Sequence, residues 1–470
     1  MSHRRVAITG LGWVTSLGNS VPEVWDLLLA GTSGIKPISR FDTAEYVTKF
    51  GGEISPWEGP PNLEPMERKR STKKLDRFAQ FAINATIDAV GDSGIDFASE
   101  NPWRCGSIIG SGVGGMEEFA EGHRKLLEKG PSRVSPFMVP KLMCNAAAGN
   151  VSIHFGIKGP NSAVATACAS AGHAILDAAN AIRHDAADVM IAGGSEAALT
   201  PLGTACFIAL KALSKRNDEP TKASRPWDAD RDGFVLAEGA GIVILEEMEH
   251  AKARGARIYG EMLGAGQSAD GSHITAPLED GAGAAYAMTA ALKDAGKNAS
   301  DISYINAHGT STGLGDLAET HAVKSVFGGD TKVPVSSTKS MLGHSLGAAG
   351  GISSATTVIV CPSSPRPEPI GAGPPVTVIR NRPSGRWAAS STARTPARTA
   401  SRSGSSSPSP VALRSSRSRC GPRAKGRPST TFSVSKTPSP TVRPWSVTRT
   451  ALACGSASRE PSTQACMTSL

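Results

Sequence analysis

The sequence lacks the patterns that identify membrane, secreted and zinc-binding proteins. No apolar run in its 470 residues reaches the roughly 18 residues needed to span a bilayer. The amino-terminal MSHRRVAITG passes from basic residues directly into a strand-like run, without the apolar core of a signal peptide. None of the eight cysteines forms a CxxC pair or is spaced from a histidine like a zinc ligand. We therefore expect a soluble, cytoplasmic protein with free thiols, no metal and no organic cofactor.

The end of the chain lacks histidine and aspartate, and its charge differs from that of the rest. From Ser353 onwards there are 17 Lys and Arg but only two acidic residues, a net charge of +15. The whole chain carries +9, so residues 1–352 carry −6. A basic chain is typical of nucleic-acid binding. Here the excess positive charge lies in a segment with neither a recognition motif nor interleaved aromatic residues, so we expect no nucleic-acid partner.

Residues 353–470 form a basic, low-complexity region rich in Ser, Arg, Pro, Thr and Ala. Two interpretations stay open: the region is a disordered tail, or it is a sequence translated in a shifted reading frame of GC-rich DNA. We favour the second, because the change of character falls inside a helical run, where disordered tails seldom begin. Resequencing the coding DNA around residue 353 distinguishes them.

Residues 1–352 predict an α/β protein in which strand-like apolar runs alternate with amphipathic helical runs. The alternation indicates a mostly parallel sheet covered by helices. The predicted strands are Val6–Thr9, Ser107–Ile109, Ala163–Thr166, Val189–Ala192, Gly241–Leu245, Ile302–Asn306 and Val333–Ser336. The predicted helices include Phe78–Val90, Gly172–Arg183, Gly283–Ala295 and Leu317–Phe327.

Cys168 is the candidate nucleophile. In AVATACASAGHAILDAANAI, residues 163–182, an apolar strand leads into this cysteine and an amphipathic helix follows. A thiol at the amino-terminal end of a helix faces backbone N–H groups, which favour the thiolate and lower the pKa. The same N–H groups can hold an oxyanion. A buried structural cysteine is the competing interpretation, and the turn alone leaves both open.

Two further blocks place basic side chains after predicted strands. His308 lies in YINAHGTSTGLGD, and Lys339 and His344 lie in PVSSTKSMLGHSLGAAG. Taken singly, these residues fit a core histidine, a solvated loop lysine and a helix-capping histidine. Together with Cys168 they predict a convergent site, because strand ends meet at one edge of a sheet.

Two partial motifs favour other activities but lack required partners. GHSLG, residues 343–347, matches a serine nucleophile elbow at Ser345, yet no histidine follows His344 and no aspartate follows Asp330. Gly10 and Gly12 after the first strand resemble a dinucleotide turn, whose third glycine would fall at Thr15.

The blocks around Cys168, His308 and His344 resemble those of the β-ketoacyl-acyl-carrier-protein synthases, in particular the synthase II branch of fatty-acid elongation. Further matching blocks are VAITGLGWVTSLG, GSGVGGMEEF, SPFMVP, ADVMIAGGSEAALTPLG, RNDEPTKASRPWDADRDGFVLAEGAG and VSSTKSMLGH. They follow family order and cover residues 1–352. Ketosynthases of aromatic polyketide pathways share RDGFVLAEGA, whereas HGTSTGLGD is more similar to the fatty-acid enzymes.

The resemblance implies a thiolase-like fold of five layers, α/β/α/β/α, built from two related halves and working as a homodimer. The amino-terminal half would span residues 1–258, and a truncated carboxy-terminal half would span residues 259–352, followed by the tail.

The resemblance also implies roles for individual residues. Cys168 would accept the acyl group from acyl carrier protein, and malonyl carrier protein would then lose CO₂. His308 and His344, as neutral donors, would stabilise the resulting enolate, and Lys339 would polarise the site. For substrate binding, Thr310 and Thr312 would hydrogen-bond the pantetheine arm, and Val113 and Met138 would line the acyl tunnel. Thr275 would also belong to the substrate-binding residues. The basic cluster Arg68, Lys69, Arg70, Lys73 and Lys74 would meet the acidic carrier protein, although such a cluster also fits a solvated face.

The sequence departs from the family after GAAGGI. The family has two closing strands joined by a Gly-rich turn such as GFGGTN, whose Phe gates the pocket and whose backbone N–H completes the oxyanion hole. It also usually has Glu where Ser353 stands. No such turn is present in this sequence. We therefore expect a sheet with an unpaired edge and a poorly folded or inactive chain.

Three alternatives to a fatty-acid condensing enzyme remain. A polyketide ketosynthase would use the same chemistry and differ in acyl chain length. A non-catalytic chain-length factor commonly carries Gln in place of the cysteine, so Cys168 argues against it. A nucleic-acid-binding protein would bind through the basic tail in a salt-dependent manner.

Overall fold

The computed structural model describes residues 4–360, 448–455 and 465–469. The strands are β1 (Val6–Val14), β2 (Lys36–Pro37), β3 (Phe50–Gly51), β4 (Cys105–Gly110), β5 (Asn161–Val164), β6 (Val189–Glu196), β7 (Gly239–Glu247), β8 (Gly260–Ala269), β9 (Ile302–Asn306), β10 (Val335–Ser336), β11 (Thr448–Gly455) and β12 (Ala465–Ser469). The helices are α1 (Val21–Leu29), α2 (Pro65–Lys74), α3 (Arg77–Ser93), α4 (Met116–Lys129), α5 (Met138–Leu142), α6 (Ala146–Phe155), α7 (Ser170–Arg183), α8 (Pro201–Ala209), α9 (Met248–Ala253), α10 (Ala282–Ala295), α11 (Gly313–Phe327), α12 (Lys339–Leu342) and α13 (Ala349–Val360). Within these ranges, no helix combines the length and apolarity required to cross a membrane.

The main sheet has an internal two-fold pattern. Its strand order is β10-β9-β12-β11-β8-β1-β7-β6-β4-β5, with β8 and β1 paired at the centre. Moving outward from the centre, each half has two antiparallel pairings followed by two parallel ones. The two related halves expected from the resemblance are therefore confirmed. The expectation of a mostly parallel sheet is wrong, because the strands next to the centre of each half run antiparallel.

Glycines in the two central strands let a helix lie directly on each of them. A Cβ on Gly12 of β1 would lie 1.9 Å from the Ala85 carbonyl oxygen of α3, and one on Gly266 of β8 would lie 2.1 Å from the Ala287 oxygen of α10. Gly10 and Gly12 thus serve helix packing inside a strand rather than a dinucleotide turn. The repeated arrangement in both halves is a second sign of their common architecture.

Helices α7 and α13 pack against each other between the two halves of the sheet, while α3 and α6 cover one outer face and α10 and α11 cover the other. This gives the five layers of the thiolase-like fold. The central helices are apolar or small on almost every side, with Ala174, Ala178, Ile352 and Ala355 all buried. Two threonine hydroxyls on α13 are satisfied within the helix, since Thr356 donates to the Ile352 carbonyl oxygen and Thr357 to that of Ser353, both at 2.8 Å.

Beyond residue 353 the helix agrees with the sequence expectation, whereas the sheet does not. Helix α13 continues through Val360, as expected from the helical run in which the family blocks stop. Strand β11 pairs with β8, and β12 pairs with β11 and β9, which fills the two positions expected to be vacant. The exposed edge predicted there is therefore absent from the described sheet. The basic segment between Val360 and β11 lies outside the described residues.

Candidate active site

The candidate nucleophile lies in a tight turn between β5 and α7. Residues Ala167–Ala169 form a single turn of 3₁₀ helix, and α7 begins at Ser170. Ala167 has φ = +51°, a left-handed conformation that costs a non-glycine residue energy and must be held by its surroundings. Ser170 holds it: its hydroxyl accepts from the Thr166 N–H at 2.9 Å and donates to the Ala167 carbonyl at 2.6 Å. The turn thus fixes Cys168 at the start of the helix.

His344 contacts this cysteine directly. Its Nε2 lies 2.9 Å from the Cys168 Sγ, within hydrogen-bonding distance. The His344 backbone is held on both sides, because its N–H donates to Val235 at 2.7 Å and its carbonyl accepts from Ala237 at 3.0 Å. Phe234 packs edge-on against the imidazole ring at 5.5 Å between centroids. The imidazole is therefore fixed in front of the thiol.

His308 completes a group of three side chains. It follows β9, and its backbone N–H donates to Glu319 at 2.7 Å, beside that of Gly309 at 2.8 Å. Its ring meets the His344 ring at 89°, with 5.2 Å between centroids. The nearest nitrogen or sulfur atoms of Cys168, His308 and His344 all lie within 4.8 Å of one another. The structure thus brings together three of the four residues that sequence reasoning singled out for chemistry.

The acidity of the thiol differs from the sequence expectation. Burial raises the pKa of Cys168 to about 11; the Lys339 ammonium opposes this and the Glu196 carboxylate adds to it. Burial outweighs the favourable effects of the Lys339 charge and of the backbone hydrogen bond on the thiolate. The prediction of a lowered pKa is wrong, and the resting group at neutral pH is a thiol that must give up a proton when it attacks.

The pKa values of His344 and Lys339, the two basic side chains beside the thiol, are both lowered. Burial and the nearby Lys339 charge hold the pKa of His344 well below its usual value. Burial also lowers the pKa of Lys339 to about 8, against the attraction of Glu319. The Lys339 Nζ has no hydrogen-bond partner among the described residues. At neutral pH the site therefore holds a neutral imidazole at His344 and a cationic lysine.

The predicted pantetheine-binding and tunnel residues lie in three different loops and in α5. Thr310 is buried and its hydroxyl lies 3.0 Å from that of Thr312, in the loop after His308. Val113 is in the loop after β4, and Met138 begins α5 and packs on α4. Thr275 lies in an exposed loop after β8, where its N–H donates to His273 Nδ1 at 3.1 Å. No described contact joins Thr275 to Cys168.

The predicted docking cluster lies on α2. Lys69, Arg70, Lys73 and Lys74 are exposed there, and none forms an ion pair within the described part of the chain. Arg68 differs, because its guanidinium donates to the carbonyl oxygens of Pro60, Pro61 and Leu63. Four of the five residues thus present free charge, while the fifth fixes the loop before the helix.

Sequence reasoning missed Glu196, which lies at the end of β6. Its buried carboxylate accepts hydrogen bonds from Ser111 Oγ at 2.9 Å, Gly112 N at 2.6 Å and Gly347 N at 3.1 Å. Only its position at a strand end inside a family-like block distinguished it in the sequence.

A cysteine and two histidines are also ligand types that suit zinc. One feature argues against a resident ion here. The buried cation of Lys339 lies close enough to change the pKa of both Cys168 and His344. A second positive charge at this place would be repelled by the lysine.

Protein-family models match most of the chain. The amino-terminal domain of the beta-ketoacyl synthases matches residues 3–251, and their carboxy-terminal domain matches residues 259–364. The second match extends beyond residue 353 and includes all of α13.

Curated relatives are similar over the same region. The 3-oxoacyl-[acyl-carrier-protein] synthase 2 of Vibrio cholerae is 53% identical over 361 residues, which are 76% of this chain and 86% of the relative. The protein of that name from Synechocystis is 47% identical over 360 residues, with the same coverage.

Solved structures give the same picture. A beta-ketoacyl synthase from Burkholderia phymatum superimposes with a TM-score of 0.70 at 37% identity, covering 76% of this chain and 86% of that one. A type II polyketide ketosynthase in complex with its acyl-carrier protein has a TM-score of 0.69 at 33% identity, covering 77% and 87%.

Proposed function

The chain belongs to the beta-ketoacyl synthase family, and on that premise we propose that it is an acyltransferase that condenses an acyl group with malonyl carrier protein in fatty-acid chain elongation. The observation that carries this proposal is the 2.9 Å contact between Cys168 Sγ and His344 Nε2. It pairs a nucleophile with a neutral proton acceptor at the end of a helix, the arrangement that thioester exchange needs.

The first step transfers the acyl group to the enzyme. Cys168 Sγ attacks the carbonyl carbon of the acyl thioester while its proton passes to His344 Nε2. The backbone N–H groups at the start of α7 stabilise the oxyanion that develops. The carrier thiolate leaves and takes the proton back from His344, so the products are acyl-Cys168 and free carrier protein. Because the thiol has a raised pKa, this proton transfer accompanies the attack.

The second step forms the carbon–carbon bond. Malonyl carrier protein loses CO₂, and the electron pair of the broken bond moves into an enolate. His308 and His344 donate hydrogen bonds to the enolate oxygen. His344 does so as the neutral tautomer with its proton on Nε2, in contrast to the tautomer that accepts the Cys168 proton in the first step; no strong base is required. The enolate carbon attacks the acyl-Cys168 carbonyl, the Cys168 thiolate leaves and takes a proton from water to return to the thiol, and a 3-oxoacyl carrier protein two carbons longer is released. Burial and, to a lesser extent, the Lys339 charge keep His344 neutral by lowering its pKa.

The substrate would reach Cys168 as a carrier-protein thioester. The exposed Lys69, Arg70, Lys73 and Lys74 of α2 offer an unpaired basic surface for an acidic carrier protein. Thr310 and Thr312 have adjacent hydroxyls beside His308, where the amides of a pantetheine arm need partners. Thr275 would meet the same arm, and Val113 and Met138 would line the acyl tunnel. The ketosynthase solved with its carrier protein supports a partner of this class.

The family's Gly-rich turn would join the strands that correspond to β11 and β12. The residues between these strands here are SASREPSTQ, without Phe or Gly. The strand positions are filled, so we infer that the chain folds and forms acyl-Cys168. Because this segment has no Phe to gate the pocket, we expect a slow condensation step.

The test separates the two steps. Incubation with acyl carrier protein should add one acyl group to the peptide that contains Cys168, detected by mass spectrometry. Carboxyl-labelled malonyl carrier protein should then release labelled CO₂ and yield 3-oxoacyl carrier protein. Cys168→Ala should abolish acylation, whereas Cys206→Ala, at an exposed free cysteine, should leave it unchanged. Acylation of another residue in the unsubstituted chain would rule the proposal out.

A polyketide ketosynthase is the second candidate, favoured by the structural match to one solved with its carrier protein. It uses the same two steps on different carriers and chain lengths. Comparing acylation rates with fatty-acyl and polyketide carrier proteins decides between them.

A further inference from the structure

Glu196 is a fully buried carboxylate without a cationic partner. None of the ion pairs in the described part of the chain includes it, and its neighbours are polar groups of two loops. Buried acids are normally paired with a base or neutralised, so this arrangement calls for a reason. Burial raises the pKa of Glu196 to about 7, and the hydrogen bonds it accepts oppose that rise.

The two oxygens of Glu196 divide their hydrogen bonds in a specific way. Oε1 accepts from Ser111 Oγ at 2.9 Å and from Val113 N at 3.3 Å. Oε2 accepts from Gly112 N at 2.6 Å and from Gly347 N at 3.1 Å, so this one atom joins the two loops. A Cβ on Gly347 would lie 2.4 Å from Gly112 N, which shows how closely the loops approach.

The loops joined by Glu196 are those on either side of the thiol. Gly347 lies three positions after His344, and Leu346 between them adopts φ = +45° and packs in the cluster that includes Cys168. Gly112 faces Ala167, since a Cβ on this glycine would lie 3.7 Å from the Ala167 Cα. The carboxylate therefore connects the loop that follows His344 to the loop that faces the turn of Cys168.

We propose that Glu196 is a positioning residue: its Oε2 ties the loop of Gly112 to the loop that follows His344, and so sets the contact between His344 and Cys168. The chemistry served by this contact rests on the proposed function. The titratable groups that face the carboxylate are Cys168 and Cys144, whose thiol pKa values it raises.

Two substitutions of Glu196 distinguish the effect of side-chain length from the effect of charge. Glu196→Asp keeps the charge but is one methylene shorter, so its carboxylate cannot reach both loops. Glu196→Gln keeps the reach, and its single oxygen can still accept from Gly112 and Gly347, but its charge is gone. Glu53→Asp is the matched control, because Glu53 is equally buried and accepts from the Ser39 hydroxyl and the N–H groups of Ser39 and Arg40 in another loop.

The readout is single-turnover acylation of Cys168 by acyl carrier protein. We expect Glu196→Asp to lower the maximal rate about a hundredfold, the lower end of a general-base contribution. The carrier-protein concentration that gives half of the maximal rate should not change. Glu196→Gln should restore most of this rate, and Glu53→Asp should match the unsubstituted chain. An equal loss of thermal stability in both Asp variants with an unaltered acylation rate would overturn the proposal. So would a Glu196→Gln rate as low as that of Glu196→Asp.

Iodoacetamide labelling of Cys168 gives a readout that needs no carrier protein. Glu196→Asp should slow labelling at pH 8 relative to Glu53→Asp, because His344 no longer meets the thiol. If the unsubstituted chain fails to acylate but this difference persists, the proposed function fails and the positioning role stands. If Glu196→Asp does not fold, Gly347→Ala must lower the labelling rate, because its Cβ would lie 2.4 Å from Gly112 N and 2.7 Å from Glu196 Oε2 and so would push the two loops apart at their joint; an unchanged rate overturns the proposal.

Discussion

The thiol of Cys168 is subject to two opposite charges. The Lys339 ammonium favours the thiolate, whereas the Glu196 carboxylate disfavours it, and burial outweighs both. Neither charge forms a hydrogen bond to the sulfur in the described structure, so both act through space. A buried thiol that remains protonated depends on a neighbouring acceptor, and this gives the neutral His344 its importance.

Replacing Lys339 by methionine should shift the reactivity of Cys168 to higher pH. Loss of the cation removes the favourable interaction with the thiolate, so the pKa of Cys168 rises further. A nearby charge typically changes a pKa by about one unit, which corresponds to roughly tenfold slower iodoacetamide labelling at a fixed pH below that pKa. The labelling rate of the Cys168 peptide, measured between pH 7 and about 10 by mass spectrometry, tests this.

The same substitution should act on His344 in a defined direction. Lys339 lowers the pKa of His344, so its removal raises that pKa and the acidic limit of acylation should move to higher pH. Lys158→Met is the control, because Lys158 lies on the surface against the Trp103 ring. An acidic limit at the same pH in Lys339→Met and Lys158→Met would contradict the assigned electrostatic effect.

The residues of the candidate site were easier to predict than their burial and their hydrogen-bond partners. The cysteine, the two histidines and the lysine stand out in the sequence because each follows an apolar strand. The direction of the thiol pKa could not be predicted, because the depth of burial depends on packing from distant elements. Glu196 was missed for a related reason: three of its four hydrogen-bond donors are backbone N–H groups of two loops, which leave no side-chain pattern in the sequence.

At the scale of elements, regular patterns were predictable and glycine-rich ones were not. The predicted runs near β1, β4, β6, β7 and β9 and the helices α3, α7, α10 and α11 are present. Strand β8 was missed because GEMLGAGQSA has few β-branched residues; its glycines accommodate α10 instead. Strands β11 and β12 were missed because their composition matches the surrounding tail, and pairing with distant strands decides their structure.

Met467 offers a test of whether β12 belongs to the sheet. Its side chain is fully buried against Ile302, Ile305 and Met288, and it pairs with Ile305 in register. Met467→Asp would place an unpaired charge in this core and should lower the free energy of unfolding by about 3 kcal/mol or more. Urea unfolding followed by circular dichroism measures the loss.

The control for this experiment uses the same exchange at the surface. Met66 on α2 is 70% exposed, so Met66→Asp should change stability by no more than about 0.5 kcal/mol. Equal stabilities of Met467→Asp and Met66→Asp would show that β12 does not pack in the carboxy-terminal half. The chain would then have the open edge that its composition indicates.

At the scale of the whole molecule, β5 ends the described sheet without a partner on its outer side. The carbonyls of Pro160 and Val164 accept from β4, so by strand alternation the N–H groups of Asn161 and Ala163 point away from the sheet. Asn161 and Ser162 are exposed, and Ile153 on the neighbouring α6 is 79% exposed. An open strand beside exposed apolar surface favours pairing with another strand. The homodimer expected from the family resemblance would form here if a second copy paired through β5 against β5.

Ala163→Pro should therefore convert a dimer into a monomer. Proline removes one outward N–H without affecting the bonds of β5 to β4, because Ala163 makes none of those. Light scattering after size exclusion should give twice the chain mass for the unsubstituted protein and for the control Ser162→Ala, and a single chain mass for Ala163→Pro. A dimer that survives in Ala163→Pro would show that the copies associate elsewhere. Because β5 leads directly into the turn of Cys168, loss of the dimer should also slow acylation of that cysteine.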